Sequence, residues 1–156
     1  MQISKMHMQP GFDYIGVNVA FHCHDGRGRL LLHLRSEKCR DEHNTWDCGA
    51  GRVIFGETLE DAVAREVKEE YGCEPLKIEE IMHYANLREH QGRKTHWLTM
   101  VFAVLVDPQE VRIMEPQKNL ENRWCTLDRL PSPLHSSLKY EIDEHFDKLK
   151  EAINKK

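Results

Sequence analysis

The segment from Gly51 to Cys73 (GRVIFGETLEDAVAREVKEEYGC) constrains the fold most strongly, because it predicts one capped, amphipathic helix. Thr58 and Asp61 have the spacing of a capping box, in which a hydroxyl and a carboxylate bind free amides at a helix start. An apolar residue recurs at every fourth position: Leu59, Val63, Val67 and Tyr71. Gly72 can end the helix in a left-handed conformation. These signals predict a helix over residues 58–71 that buries one face.

The last turns of this helix carry three carboxylates: Glu66, Glu69 and Glu70. A helix C-terminus has partial negative charge, so an acid there loses roughly 0.3–1 kcal/mol. Positions i, i+3 and i+4 also place the three on one face, where they repel each other. A divalent cation would turn that repulsion into attraction, and an all-oxygen set suits Mg2+ or Mn2+ better than zinc. The alternative is a solvated helix face on which Arg65 pairs with Glu69.

The whole segment resembles the Nudix box, G-x5-E-x7-R-E-U-x-E-E-x-G-U, in which U is a bulky aliphatic residue. The matching positions are Gly51, Glu57, Arg65, Glu66, Val67, Glu69, Glu70, Gly72 and Cys73. Cys73 occupies an aliphatic position, where a small buried thiol replaces valine at little cost. Upstream, Gly49-Ala50-Gly51 stands where many members have Pro-Gly-Gly, and Ile54 where many have Glu. These departures affect the loop and leave the helix carboxylates in place.

The resemblance to the Nudix hydrolase family, MutT-like members in particular, implies hydrolysis of a pyrophosphate bond with Mg2+ or Mn2+. Its implied metal ligands are Glu66, Glu69 and Glu70, with Glu57 in support and the backbone carbonyl of Ala50. Arg65 would orient a glutamate, since a guanidinium holds a carboxylate at two points. The competing interpretation of Arg65 is a surface pair with an acid one turn away.

The general base is a choice among acids inside and outside the box. Glu66 is the first candidate. Glu115 is the second, because a MutT-like relative would carry an acid in a loop before a strand that holds a tryptophan such as Trp124. Glu121 is the third candidate. For Glu115 and Glu121 the alternative is an ordinary solvated loop acid.

Substrate choice depends on residues outside the box. Leu87, Arg88 and the residues just after them offer neither the proline of ADP-ribose hydrolases nor the tyrosine of dinucleoside polyphosphate hydrolases. The segment from Glu115 to Pro131 resembles the tail of MutT-like enzymes, which favours a nucleoside triphosphate cut to monophosphate and pyrophosphate. Gly51 would let a ligand approach closely. Three aromatic residues would stack on a base or else belong to the core: Trp46, Tyr84 and Trp97.

Other function classes stay open. A nucleotide sugar or ADP-ribose is the alternative substrate, and a nucleotide-sensing Nudix module without activity is the alternative class. The complete set of box glutamates favours catalysis. Hydrolysis of a capped RNA end is disfavoured, because the net charge is −4 and the Lys and Arg residues are dispersed. The expected partner is therefore a small nucleotide, and a homodimer is possible.

The length of 156 residues predicts a single Nudix domain over 1–156, with residues 1–10 as a loose arm or an added edge strand. The longest apolar run, Met100 to Val106, is too short to cross a membrane, so a cytoplasmic protein is expected. Five cysteines without a C-x-x-C pair indicate reduced thiols. His22 and His24 are interpreted as structural, because alternate strand residues share a face for geometric reasons alone.

Alternating or apolar patterns predict five strands: 13–24, 30–34, 76–86, 97–106 and 121–126. Residues 25–28 and 91–93 are predicted as hairpin turns, and the charged segment 36–45 as an exposed loop at the mouth of a site. A second helix is predicted over 135–153, with an apolar stripe at Leu138, Ile142, Phe146, Leu149 and Ile153. This mixture indicates an α/β protein, a three-layer α/β/α sandwich with a mixed β-sheet, which is also the Nudix fold that the resemblance implies.

Overall fold

The computed structural model describes residues 7–155 of the chain. The expectation of an arm or edge strand at residues 1–10 lies partly outside this range, and within it Pro10 makes one isolated bridge with Tyr14. The described part contains seven strands and two helices. In chain order they are β1 (Gly16–His24), β2 (Arg29–Arg35), β3 (Trp46–Asp47), β4 (Gly49–Arg52), α1 (Leu59–Tyr71), β5 (Lys77–His90), β6 (Arg93–Leu105), β7 (Asn119–Thr126) and α2 (Ser136–Ala152).

The sheet is mixed, as predicted. Its main path runs β3-β2-β1-β6-β5, while β4 pairs with β1 and β7 pairs with β2. The strands β1 and β6 are parallel over their length, from Gly16 opposite Trp97 to His24 opposite Leu105. The other strand pairs are antiparallel.

The helices cover opposite faces of the sheet, so the predicted three-layer sandwich is confirmed. Successive strand residues point to opposite faces. In β2, Leu31 therefore joins the core under α1, whereas Leu30 and Leu32 join the core under α2. The apolar residues of α1 that reach the first core are Ala62, Val63, Val67 and Tyr71. Those of α2 that reach the second core are Leu138, Ile142 and Leu149.

Local sequence signals set the ends of α1. Thr58 is the N-cap, and both hydrogen bonds of the capping box with Asp61 are present. Gly72 ends the helix with φ of 68°, in the left-handed region that favours glycine. These features hold the acidic face of the helix in a defined position beside β4.

The predicted stripe of α2 is wrong at one residue. Phe146 is 39% exposed, although Leu138, Ile142, Leu149 and Ile153 are buried. His145 has non-helical backbone angles (φ −133°, ψ 28°) in the middle of the helix. The break lies directly before Phe146, which turns toward solvent, whereas Leu149 and Ile153 beyond it lie on the buried face as predicted.

The strands β5 and β6 are longer than predicted. They form a hairpin that pairs as far as His90 and Arg93, around the turn at Gln91 and Gly92. The outer part of this hairpin is polar and exposed, so it lacks the apolar pattern on which the shorter prediction depended. Residues 36–45 form turns and bends without a strand, as expected.

Two further expectations can be compared with the structure. None of the helices in the described residues is both long and apolar enough to cross a membrane. All five cysteines fall within residues 7–155, and each is free.

Candidate functional site

Arg65 organises the first part of the site by bridging two glutamates. Its Nε and Nη2 atoms donate to the two carboxylate oxygens of Glu57, at 2.6 and 3.0 Å. Its Nη1 donates to Glu66 at 2.6 Å, and Nη2 also reaches the Arg52 carbonyl at 3.0 Å. The guanidinium lowers the pKa of Glu57 to about 2. Arg65 therefore fixes Glu57, on the loop before α1, against Glu66 on the helix.

Glu69 lies on the outer side of this cluster. Its side chain is 55% exposed, and one oxygen is 3.5 Å from Arg65 Nη1. This is the i,i+4 pair considered as the alternative role of Arg65. It is the longest of the three ion pairs that Arg65 makes within the described residues. Glu69 is therefore free to turn toward a ligand at little cost.

Glu70 occupies the inner side of the cluster. Its Oε2 atom is buried, and among the described residues it has no hydrogen-bond partner. Burial raises the pKa of Glu70 well above its ordinary value and the charge of Glu66 raises it further, although a hydrogen bond from the Ala50 backbone opposes both. A buried carboxylate oxygen without a donor is expensive, unless a cation binds there.

The donor set therefore fits a hard divalent cation. Three carboxylates surround the Arg65 guanidinium, those of Glu57, Glu66 and Glu69, and the buried carboxyl of Glu70 is close enough for the charge of Glu66 to affect its pKa. Oxygen ligands of this kind suit Mg2+ or Mn2+. A cation bound here would satisfy the buried Oε2 atom of Glu70, which has no hydrogen-bond partner among the described residues.

The Glu66 side chain packs directly against Gly51. A Cβ atom at position 51 would lie 1.9 Å from Glu66 Cδ, which is far inside van der Waals contact. Gly51 and Ala50 lie on β4, opposite Val19 and Ala20 of β1. This short strand thus brings backbone groups against the carboxylates of α1.

Glu115 approaches the cluster from the loop before β7, but Glu121 does not. Glu115 lies with Glu70 in the lining of a cleft of about 430 Å3, the glutamate cleft, which also contains Asp47. The negative charge of Glu115 contributes to the raised pKa of Glu70. Glu121 is absent from this lining and pairs with Arg123 at 2.7 Å.

The glutamate cleft also presents positive charge. Four basic side chains line it together with the acids: Arg35, Lys38, Arg40 and Lys118. Lys118 binds Glu115 at 2.9 Å, and Arg35 binds Asp47 at 3.1 Å. The cleft thus contains carboxylates that can bind a metal ion and Lys and Arg side chains that can bind phosphate. Together they form a surface suited to a metal-bound phosphate chain.

A second cavity adjoins the first. This second cavity, the Tyr84 cavity, has a volume of about 260 Å3. Tyr84, Trp97 and the box residue Gly51 are among the residues that line it. The two cavities share wall residues, among them Ala50, Cys48 and Asp47. A ligand could therefore extend from one cavity into the other over β4.

Trp46 does not belong to either lining. It is 5% exposed and packs in the core under α2. The Arg123 guanidinium lies 4.3 Å from its ring centre. The predicted stacking of Trp46 on a base thus has no support in its position, and Tyr84 and Trp97 are the aromatic residues that reach the cavity.

Sequence reasoning missed the polar network that holds the loop at 36–45. Glu42 accepts hydrogen bonds from Arg88 at 2.6 Å and from the Ser136 backbone at 2.9 Å. It also lies 2.9 Å from His135 Nε2. Arg35 binds Asp41 at 3.0 Å. The many charged residues of the segment indicated that it would make such contacts. The partner residues could not be identified from the sequence, because they lie up to 94 residues away.

Sequence reasoning also missed a buried acid on α2. Glu141 is 1% exposed, and it accepts hydrogen bonds from Tyr84 and His22 Nε2, both at 2.8 Å. Its position beside Ile142, on the apolar side of the helix, was a usable signal. His24 fits its structural interpretation, because its Nδ1 accepts from the Gly26 amide at the hairpin turn.

Comparison with known sequences identifies relatives of this site. A family model described as NUDIX domain matches residues 15–146. The 8-oxo-dGDP phosphatase NUDT18 of Homo sapiens is 31% identical over 118 residues, or 69% of this chain and 31% of that protein. The NAD-capped RNA hydrolase NudC of Photorhabdus laumondii is 37% identical over 90 residues, or 57% and 32%. The chain spans a quarter to a third of the length of the curated relatives it matches.

Solved structures share the fold. A MutT NUDIX hydrolase from Burkholderia pseudomallei has a TM-score of 0.72 and 27% identity, covering 82% of this chain and 95% of that one. The NUDIX domain of Shewanella oneidensis NrtR, solved with ADP ribose, has a TM-score of 0.69 and 22% identity, covering 92% and 94%. The family model spans most of the chain, and α1 carries Arg65, Glu66, Glu69 and Glu70 of the box. The chain therefore belongs to the Nudix family.

Proposed function

We propose that this chain is a metal-dependent hydrolase that cuts a pyrophosphate bond in a nucleoside diphosphate-linked substrate. The observation that carries the proposal is the buried Oε2 atom of Glu70, which has no partner among the described residues and lies beside Glu66. The complete set of box glutamates favours catalysis over a sensor without activity. The names of the Nudix relatives, a phosphatase and a hydrolase, agree with a hydrolytic role.

The metal ligands would be Glu66, Glu69 and Glu70, with Glu57 in support and the Ala50 carbonyl from β4. When bound, Mg2+ or Mn2+ would neutralise the diphosphate and polarise its oxygens. Arg65 keeps Glu57 and Glu66 in place through its fork of hydrogen bonds. It is thus a positioning residue, and its hydrogen bonds leave the Oε2 atom of Glu70 available.

Glu66 is the proposed general base. A useful base has a pKa near the working pH, which for a carboxyl requires an upward shift. Burial raises the pKa of Glu66, and the hydrogen bond from Arg65 only partly opposes this shift. Glu115 is the second candidate, and its contact with Lys118 makes a free carboxylate lone pair less available there.

The substrate proposed is a nucleoside triphosphate, released as monophosphate and pyrophosphate. Lys38, Arg40 and Lys118 would hold the phosphates in the glutamate cleft. Tyr84 and Trp97 would hold the base in the Tyr84 cavity, whose volume of about 260 Å3 suits a nucleobase. The relative named for 8-oxo-dGDP supports a nucleotide of this size.

A second candidate substrate is a dinucleotide or a capped RNA end. The relative named as NAD-capped RNA hydrolase favours it. The net charge of −4 counts against tight RNA binding. Nucleotide sugars and ADP-ribose complete the alternatives.

The test is turnover of a panel in Mg2+: nucleoside triphosphates, 8-oxo-dGDP, ADP-ribose, a sugar nucleotide and NAD-capped RNA, with products separated by chromatography. Glu70→Gln is expected to lose at least about a hundredfold in rate, since even outer partners of a metal cost 10–100-fold. Glu60→Gln is the matched control, because Glu60 lies on the exposed first turn of α1. Equal rates in wild type and Glu70→Gln would contradict the proposal.

The remaining expectations accompany this proposal. A cytoplasmic location agrees with five free cysteines. A small nucleotide is the proposed partner, and a homodimer stays a prediction for sedimentation to test.

A further inference from the structure

A buried cluster of nitrogen, sulfur and oxygen donors adjoins the Tyr84 cavity, which two of its three residues line. It comprises His22 of β1, Cys48 between β3 and β4, and Glu141 of α2. One donor atom from each residue can be chosen so that all three lie within 4.8 Å of one another. The three residues are almost completely buried, with exposures of 0, 4 and 1%.

Hydrogen bonding within the fold does not fully satisfy this cluster. Glu141 accepts from Tyr84 and His22, but among the described residues it has no Lys or Arg partner. His22 Nδ1 is buried without a hydrogen-bond partner in the same part of the chain. A buried acid is costly without a compensating cation, and an orphaned imidazole nitrogen adds to that cost.

We propose that His22, Cys48 and Glu141 form a second metal site, for a borderline divalent cation such as Zn2+. Imidazole, thiolate and carboxylate are zinc ligands, whereas Mg2+ prefers oxygen alone. The site has no ligand in common with the carboxylates of α1. It therefore goes beyond the proposed hydrolysis and does not depend on it.

The distances are compatible with a tetrahedral ion. Zinc bonds of about 2.0–2.3 Å place tetrahedral ligands roughly 3.5 Å apart. The His22 ring must then turn from its 2.8 Å contact with Glu141 so that the orphaned Nδ1 becomes the ligand, and separations of up to 4.8 Å must close by as much as about 1.3 Å. Side-chain rotation supplies changes of this size.

The surroundings favour a site with one open position. Cys48 and Glu141 both line the Tyr84 cavity, so a fourth ligand would enter from that side. Three protein ligands and an open fourth position are typical of accessible zinc sites. The Tyr84 hydroxyl, which donates to Glu141, would orient the carboxylate as an outer partner.

Co2+ is the probe for the test, because a tetrahedral cobalt thiolate has visible d–d bands and a near-ultraviolet charge-transfer band. The full chain is titrated in excess Mg2+, which would compete with Co2+ for the carboxylates of α1 and leaves the thiolate band as the readout of the second site. We expect one Co2+ per chain with a thiolate band, displaced by Zn2+. Absence of a thiolate band in the wild type would overturn the proposal.

Matched cysteine variants locate the band. Cys48→Ser is expected to abolish it, whereas Cys125→Ser, at another buried cysteine, and Cys39→Ser, at a half-buried one, should retain it. Glu141→Gln should weaken Co2+ binding at least about tenfold. A band that survives Cys48→Ser and disappears in Cys39→Ser would refute the assignment.

A measurement on the wild type tests the site even if the variants fail to fold. Zinc X-ray absorption of the zinc-loaded chain should show one sulfur and otherwise nitrogen or oxygen in the first shell. A shell without sulfur, or with two, would contradict the site. Because neither readout uses turnover, failure of this proposal and failure of the hydrolysis proposal are distinguishable.

Discussion

At the scale of single residues, the buried carboxyl group of Glu70 is the clearest case of an energetically unfavourable position. Its pKa is raised by burial, so the folded chain holds this proton to higher pH than the unfolded chain does. The stability that the protonated form contributes is complete below the unfolded value, near 4.5, and is lost as pH rises through the folded pKa. Metal binding would reverse this loss by supplying the missing positive charge.

This unfavourable position gives a prediction for the metal-free protein. In EDTA, the melting temperature of the wild type should fall as pH rises through the ionisation of Glu70. The profile of Glu70→Gln should be flatter, because its amide carries no charge at any pH. Scanning calorimetry from weakly acidic to weakly basic pH checks this, and parallel profiles for the two proteins would count against it.

A second residue-scale prediction concerns Gly51. Gly51→Ala must displace the Glu66 carboxyl, whose Cδ lies 1.9 Å from the new Cβ. We expect a higher Mg2+ concentration for half-maximal turnover, by about tenfold or more. Gly92→Ala is the control, because a Cβ there meets open space at the hairpin tip. Its positive φ of 75° should cost stability and leave the Mg2+ requirement unchanged. The same Mg2+ requirement in Gly51→Ala and wild type would show that displacement of Glu66 does not weaken metal binding.

At the scale of elements, Glu42 attaches the loop at 36–45 to the start of α2. Glu42 caps the start of α2 by accepting from the Ser136 amide and hydroxyl, at 2.9 and 2.7 Å. It also binds Arg88 of β5. These contacts hold the loop that carries Arg40 into both cavities.

Removing this attachment should affect stability and binding together. Glu42→Gln is expected to lower the free energy of unfolding by about 1–2 kcal/mol at neutral pH, the cost of a lost cap and charged hydrogen bonds. It should also raise KM, because the loop would no longer be fixed. Glu37→Gln, at an exposed acid of the same loop, is the control for urea denaturation and kinetics.

The acid dependence of this attachment has a definite sign. The surrounding donors lower the pKa of Glu42, so its contribution is present above the unfolded value, near 4.5, and is lost as pH falls through the folded pKa. The stability difference between wild type and Glu42→Gln should therefore shrink in acid. A difference that stays constant down to strongly acidic pH would show that the charge of Glu42 is not involved.

The elements also show which features a sequence can predict. The helix α1 is predictable because its caps and stripe lie within about four residues of each other, as Thr58 and Asp61 do. The break at His145 has no local sign, and it moves Phe146 out of the predicted face. The outer part of the β5–β6 hairpin escaped prediction because its stability comes from strand pairing and not from an apolar pattern.

At the scale of the whole molecule, the site combines segments that are distant in the sequence. The carboxylates of α1 were predictable as a group, because one contiguous motif carries them. Glu115 was reached only through the family resemblance. Asp47, and the contact of Glu42 with Arg88, could not be predicted, because separate loops and strands meet there only after folding.

Metal binding should stabilise the whole fold. A ligand that binds only the folded state adds about 2.7 kcal/mol at a hundred times its dissociation constant. Mg2+ should therefore raise the melting temperature of the wild type and leave that of Glu70→Gln nearly unchanged. Thermal denaturation with and without Mg2+ is the measurement. A rise of equal size in both proteins would place the bound Mg2+ elsewhere.

The short strand β4 stands between the two cavities, and its length cannot change without breaking its pairing with β1. In the proposed function, β4 would therefore set a fixed distance between the bound base and the carboxylates of α1. With a base seated beside Tyr84, the phosphate bond that lies over Glu70 would be chosen by distance along the substrate and not by base identity. We expect such a chain to accept many bases, and to discriminate sharply between substrates that differ by one phosphate.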